Sequence, residues 1–159
     1  MHSKALGIIN HYLNKVWKLD KISKMQIENI KIINIPKIVD EQGRGNLAVI
    51  EKDTYPFIIK RVYYLYDVPS NAYRGGHAHK EVHELLIALS GSFEVLLDNG
   101  KTKQKVMLNK PNKGLLIPTG IWRELDNFSS GAVCLVLASD VFDESDYIRD
   151  YDVFIDSLS

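Results

Sequence analysis

Between Arg74 and Gly91 the chain reads RGGHAHKEVHELLIALSG. His77 and His79 are two apart, Glu84 follows five residues on, and Gly91 lies seven beyond that. In an extended chain, residues two apart project from one face, so both imidazoles stand side by side. The apolar run 85–89 holds the segment within a sheet. Paired imidazoles suit two tasks: gripping a divalent metal, or moving protons between adjacent atoms of a substrate. Two imidazoles beside Arg74 are costly to bury for packing alone, which points to use in a site. His83, of opposite parity to Glu84, reads as surface or packing.

The elements that position this stretch are strands. From Ile27 onward, short β-branched and aromatic runs cover 30–35, 47–51, 57–68, 84–89, 92–98, 103–108, 114–117 and 132–138. Turn signals separate them, among them Asn99-Gly100, Asn112-Lys113-Gly114 and Ser129-Ser130-Gly131. Many short strands at this spacing predict an all-β sandwich or barrel, and Asp98-Asn99-Gly100 predicts a hairpin. Residues 144–158 carry Tyr147, Ile148, Tyr151 and Phe154 at helical spacing and predict a C-terminal helix. Residues 5–19 carry Leu6, Ile9, Leu13, Val16 and Trp17 on a modest apolar stripe. We read 1–24 as a helical extension and 25–159 as the main domain.

The 159 residues suffice for one domain with a proper core. Lys+Arg and Asp+Glu are 20 each, so no basic field recruits nucleic acid or a membrane surface, and neither is expected as a partner. An anionic ligand must then be held by local arginines. Cys134 is the single cysteine, which rules out an intrachain disulfide and fits a reducing compartment. No apolar run approaches the roughly 18 residues of a membrane span, and the first residues lack the pattern of a signal peptide. Cytoplasm is the default expectation.

His77, His79, Glu84 and Gly91 fit the first motif of the cupins, and the chain resembles that family. The second cupin motif has its counterpart in Pro118, Gly120, Arg123 and Asn127, where Arg123 stands in place of the third metal-ligand histidine. A guanidinium stays protonated and has no lone pair to offer a cation. Its charge weighs against a metal and suits an anionic or oxygen-rich substrate. Arg44, Arg61 and Arg74 are candidates to join it, and Tyr63, Tyr64, Tyr73 and Trp122 add aromatic surface for a phosphorylated, ring-bearing ligand. Gly75-Gly76 suits either a close backbone approach to a ligand or a bulge.

The runs KRVYYLYDVPSNAYRGGHAHK (60–80), IPTGIWRELDNFSSGAVCLVLASDVFDESDYIRDYDVF (117–154) and RGNLAVIE (44–51) are similar to the bacterial sugar-nucleotide 3,4-ketoisomerases. These are the dTDP-4-oxo-6-deoxy-D-glucose 3,4-oxoisomerases, also called the WxcM-like C-terminal domain. The resemblance spans about residues 27–155. It implies a jelly-roll cupin working without metal or other cofactor, a homodimer with exchanged N-terminal strands, and a thymidine diphosphate sugar as substrate. The ketone moves from C4 to C3, and the product feeds synthesis of 3-amino-3,6-dideoxy sugars for surface glycans.

The chemistry this implies is removal of the C3 proton, acidified by the C4 ketone, an enediol across C3 and C4, and proton return at C4. The resemblance makes His77 the base and His79 the shuttle between the two oxygens, and Tyr63 a hydrogen-bond partner of the enediolate. Arg61 and Arg74 grip diphosphate, and Arg44, Lys80, Trp122 and Arg123 complete the expected substrate contacts. Glu84 stands where the family leads us to expect Gln. It keeps a metal in play, or hydrogen-bonds an imidazole and raises its basicity. Arg44 and Arg123 combine two family patterns, one from each, and leave the C4 configuration of the product open. A related epimerase acting at C3 or C5, a metal-dependent cupin and a non-catalytic sugar-binding module are the alternative readings.

Overall fold

The computed structural model describes residue 27 and residues 29–159, so the expected helix within 1–24 lies outside the described residues. The strands are β1 (Lys31–Asn34), β2 (Lys37–Val39), β3 (Asn46–Ala48), β4 (Arg61–Leu65), β5 (Arg74–His79) and β6 (Glu84–Ser90). They continue as β7 (Phe93–Asp98), β8 (Lys103–Leu108), β9 (Lys113–Ile117), β10 (Trp122–Asp126), β11 (Val133–Ala138) and β12 (Tyr147–Ile148), and helix α1 (Tyr151–Asp156) follows. One five-stranded sheet runs β1-β9-β6-β11-β4, a second runs β12-β5-β10-β7-β8, and β2-β3 form a hairpin apart. All pairings are antiparallel. The architecture is the expected jelly roll with a short C-terminal helix.

Period-two alternation explains where each side chain goes. On β6, Leu86 and Ala88 join Phe93, Val95, Leu97, Leu125, Phe128, Cys134 and Val136 in the main core. The alternate residues Leu85 and Ile87 pack with Ile35, Leu116 and Leu137 in a second cluster. β6 is therefore buried on both faces, which is why it reads as a continuous apolar run rather than an alternating one. Each such fully buried aliphatic side chain contributes about 1.5–3 kcal/mol.

The expected hairpin forms between β7 and β8. Gly100 takes a positive φ of 82° and donates its N–H to Asp98 Oδ1 at 2.7 Å, and Asn99 Oδ1 accepts from Thr102 N at 2.8 Å. Asn99 and Asp98 thus supply the turn's own acceptors.

Four strands lie outside the β-branched runs of the sequence: β2, β5, β10 and β12. In β5 and β10 the inward positions carry His77, His79 and Arg123 rather than aliphatic residues, so the alternation of a half-buried strand is erased. The helix expected over 144–158 is also corrected. Glu144–Asp146 is a 3₁₀ turn, Tyr147 and Ile148 pair with His79 and Ala78 of β5, and the α-helix begins only at Tyr151. Asp150 caps it by accepting from the backbone N–H groups of Asp152 and Val153.

The register between β5 and β10 shifts at Arg123/Glu124, opposite Gly75 and His77, leaving Gly76 as the extra residue of a bulge. Gly75 has φ +81°, and a Cβ there would lie 2.8 Å from the Arg123 carbonyl oxygen. The bulge re-aims the following His77. Gly75→Ala is expected to cost about 1–3 kcal/mol of stability and to lower turnover by displacing His77. Urea denaturation and a rate assay check this, and an unchanged midpoint would contradict it.

Candidate active site

Strands of both five-stranded sheets line a cavity of about 580 Å³. β4 brings Arg61 and Tyr63, β5 brings Arg74 and His77, β6 brings Glu84, and β10 brings Arg123. The segment after β11 closes the rim with Phe142, Tyr147 and Arg149. Of the candidates the sequence offers, Tyr63, Arg61, Arg74, His77 and Arg123 line this one cavity.

The four remaining expected residues lie elsewhere. His79 is fully buried and lies beneath the wall rather than on it. Its Nδ1 is 2.6 Å from Asp146 Oδ2, and its Nε2 is 3.4 Å from Glu84 Oε1 without hydrogen-bond alignment. Trp122 points to the opposite face of β10, where it packs with Ala78 and Phe154 beneath α1 and donates Nε1–H to Glu124. Parity decides this, because Arg123 takes the inward position and its neighbour must face out. Lys80 follows β5 and donates to the Ser145 carbonyl at 2.7 Å, outside the cavity. Arg44 is exposed on the β2-β3 hairpin and pairs with Asp40 at 2.7 Å. Tyr64 also faces outward and is exposed, whereas Tyr73 lines the cavity. His83 stacks on Phe57, on the packing face expected of it.

The sequence reading missed Asp146, Tyr147, Arg149 and Phe142 as neighbours of the site. The Tyr147 ring lies 4.9 Å from the His77 ring and 4.4 Å from the His79 ring, and Arg149 stacks over Tyr147 at 4.2 Å. Their helical spacing concealed that Tyr147 continues a sheet.

Electrostatics separates the groups. His77 is pushed down to about 3, by burial first and then by the charge of Arg123. It therefore rests as a neutral imidazole with both ring nitrogens unpartnered. Burial raises the Glu84 carboxyl, but the interactions with His79, Arg123 and Tyr63 outweigh it and bring Glu84 down to about 2. Tyr63 is pushed well above its ordinary value by burial and by Glu84, so it stays a phenol, and it donates to Glu84 Oε1 at 2.6 Å. Arg123 is 1% exposed, and none of its three guanidinium nitrogens has a hydrogen-bond partner. A buried guanidinium without a partner calls for an oxygen-rich or anionic ligand.

His77, His79 and Glu84 also bring potential metal-ligating atoms within 4.8 Å of one another. They do not fit a divalent ion well. Arg123 pairs directly with His77 across the β5-β10 ladder and places a fixed positive charge against the same space.

The depressed His77 has a consequence for stability. It binds a proton near 6.5 when unfolded but only near 3 when folded. Between those values the unfolded chain holds the extra proton, so stability falls as pH drops through that window and is complete above it. The urea midpoint is expected to be lower at about pH 5 than at about pH 7, with a smaller difference in His77→Gln. An identical pH dependence in the variant would contradict this.

Residues 28–159 match the family described as FdtA: WxcM-like, C-terminal. The chain is 47% identical over 125 residues to a TDP-4-oxo-6-deoxy-α-D-glucose-3,4-oxoisomerase of Aneurinibacillus thermoaerophilus, covering 78% of this chain and 88% of the relative. The TDP-quinovose 3,4-ketoisomerase WlaRB of Campylobacter jejuni is 48% identical with a TM-score of 0.77, covering 82% of this chain and 99% of that one. A mutant of the 3,4-ketoisomerase QdtA of Thermoanaerobacterium thermosaccharolyticum, solved with TDP-4-keto-6-deoxyglucose, is 42% identical with a TM-score of 0.80, covering 84% of this chain and 96% of that one. A cavity carrying a neutral imidazole, a buried carboxylate and an unpaired guanidinium thus sits in a sequence matched along most of its length, and the chain belongs to the WxcM-like, C-terminal family.

Proposed function

We propose that this chain is a 3,4-ketoisomerase of dTDP-4-keto-6-deoxy-D-glucose that works by proton transfer. The observation that carries the reading is neutral His77 on the cavity wall beside unpartnered Arg123. A base and a fixed positive charge together are what enolisation next to a ketone needs. His77 takes the C3 proton, and the C3–H electron pair becomes the C3=C4 bond of the enediolate. Negative charge growing on the sugar beside His77 raises its affinity for that proton as the reaction proceeds. Arg123 stabilises the oxyanion. His79, which adjoins the wall residues Glu84 and His77 from behind, moves a proton between the two oxygens through Glu84, and return of a proton at C4 leaves the ketone at C3. Arg61, Arg74 and Arg149 at the cavity suit the diphosphate, and the exposed ring of Tyr73 suits the base.

A second copy of the chain belongs to this reading. The β2-β3 hairpin pairs only with itself among the described residues and exposes Ile38, Val39 and Leu47. Exchange of this segment in a homodimer would cover those residues and carry Arg44 away from its own protomer's cavity. No helix among the described residues is long and apolar enough to cross a membrane. We place the reaction in the cytoplasm, which the free, buried Cys134 suits.

The test is to treat the protein with chelator, supply dTDP-4-keto-6-deoxyglucose, and trap the product with borodeuteride. Mass spectrometry is expected to find deuterium at C3. Label at C4 alone, or activity restored only by added metal, would overturn the reading.

A further inference from the structure

Asp146 is a buried carboxylate that the proton-transfer scheme does not use. It ends the 3₁₀ turn Glu144–Asp146, just before Tyr147 joins the sheet beside β5. Both its oxygens are engaged. Oδ1 accepts the Glu81 backbone N–H at 2.7 Å, and Oδ2 lies 2.6 Å from His79 Nδ1. The Glu81 contact fixes the carboxylate independently of the imidazole. An acceptor at that distance is satisfied only if Nδ1 carries a proton. The other nitrogen, Nε2, has no hydrogen-bond partner and lies on the side of Glu84, 3.4 Å from its Oε1. The Tyr147 ring packs on His79 and limits its rotation.

We propose that Asp146 is a positioning residue of the isomerisation, which pins Nδ1–H of His79 and so keeps Nε2 as the nitrogen that takes and gives the shuttled proton. The inference rests on the ketoisomerase reading. The proton balance is closed. By way of the Glu84 carboxylate, which lines the cavity 3.4 Å from it, Nε2 receives the proton of the C3 hydroxyl and returns one to the C4 oxygen, while His77 alone handles the protons on carbon. No oxidant or other reactant is consumed. The charged and titratable groups facing His79 are Asp146 and Glu84 at its nitrogens, with His77 and Tyr147 against the ring.

Asp146→Asn tests this, because the amide can offer Nδ1 a donor and force the opposite tautomer. Migration of the ketone is expected to slow roughly 10²-fold with KM unchanged, while deuterium wash-in at C3 from D₂O continues near the wild-type rate. Equal slowing of both processes, or no slowing of either, overturns the proposal. Nitrogen NMR of the wild-type protein supplies a second measurement that depends on no variant. His79 is expected to show Nδ1 in the upfield range of a protonated nitrogen, with its attached proton strongly downfield, retained in Glu84→Gln, and an unprotonated Nδ1 overturns the proposal. Failure of the functional reading looks different: the wild-type protein would then leave the ketone at C4 while the Nδ1 signal persisted.

Discussion

His77→Asn is expected to lower kcat by roughly 10³-fold and to leave the affinity for dTDP-4-keto-6-deoxyglucose little changed. Asn is polar and smaller, so the cavity survives, but it offers no nitrogen lone pair that can accept the C3 proton. The imidazole it replaces is the group on the wall that rests neutral, because burial and the charge of Arg123 keep protons off it. Deuterium wash-in at C3 is expected to disappear together with ketone migration. That joint loss contrasts with Asp146→Asn, where only migration is expected to slow. Calorimetric titration and proton NMR on one preparation check both halves. Turnover surviving the substitution would remove His77 from the mechanism.

The second large effect belongs to Arg123. Arg123→Met is expected to leave the ligand-free protein as stable as before or more stable, by about 1–3 kcal/mol, while kcat/KM falls roughly 10²-fold. The two signs differ because the guanidinium is buried with all three nitrogens unpartnered. Its burial is a cost in the empty fold and is offset only when substrate oxygens arrive. Glu84, which the Arg123 charge helps keep ionised, retains the Tyr63 hydrogen bond. Thermal melts with and without dTDP-4-keto-6-deoxyglucose check this, and the ligand-induced rise in Tm is expected to shrink in the variant. A variant that melts lower and turns over normally would assign Arg123 to structure instead.

Much of this site is legible in sequence wherever parity governs. His77 and His79 do share a face of β5, Tyr63 and Arg61 share one of β4, and His83 does point away. Spacing along the chain does not carry depth, however. His77 reaches the cavity wall while His79, one step further along β5, lies beneath it. Parity also removes Trp122, whose neighbour Arg123 occupies the inward position. Arg44 lies on a separate hairpin and Lys80 beyond the end of β5, so resemblance could group them with the site but local pattern could not place them. The missed residues Tyr147 and Asp146 sit in a tail whose spacing fits a helix. What keeps that tail extended is pairing with β5, a contact made almost seventy residues away in sequence and invisible to any local window.

The most direct measurement is proton NMR of dTDP-4-keto-6-deoxyglucose incubated in D₂O with chelator-treated protein. The account predicts a new 3-keto species, with couplings that report the C4 configuration. Deuterium entering at C3 or C5 while the ketone stays at C4 would contradict it in favour of epimerisation, and an unchanged spectrum would contradict proton-transfer catalysis on this substrate altogether.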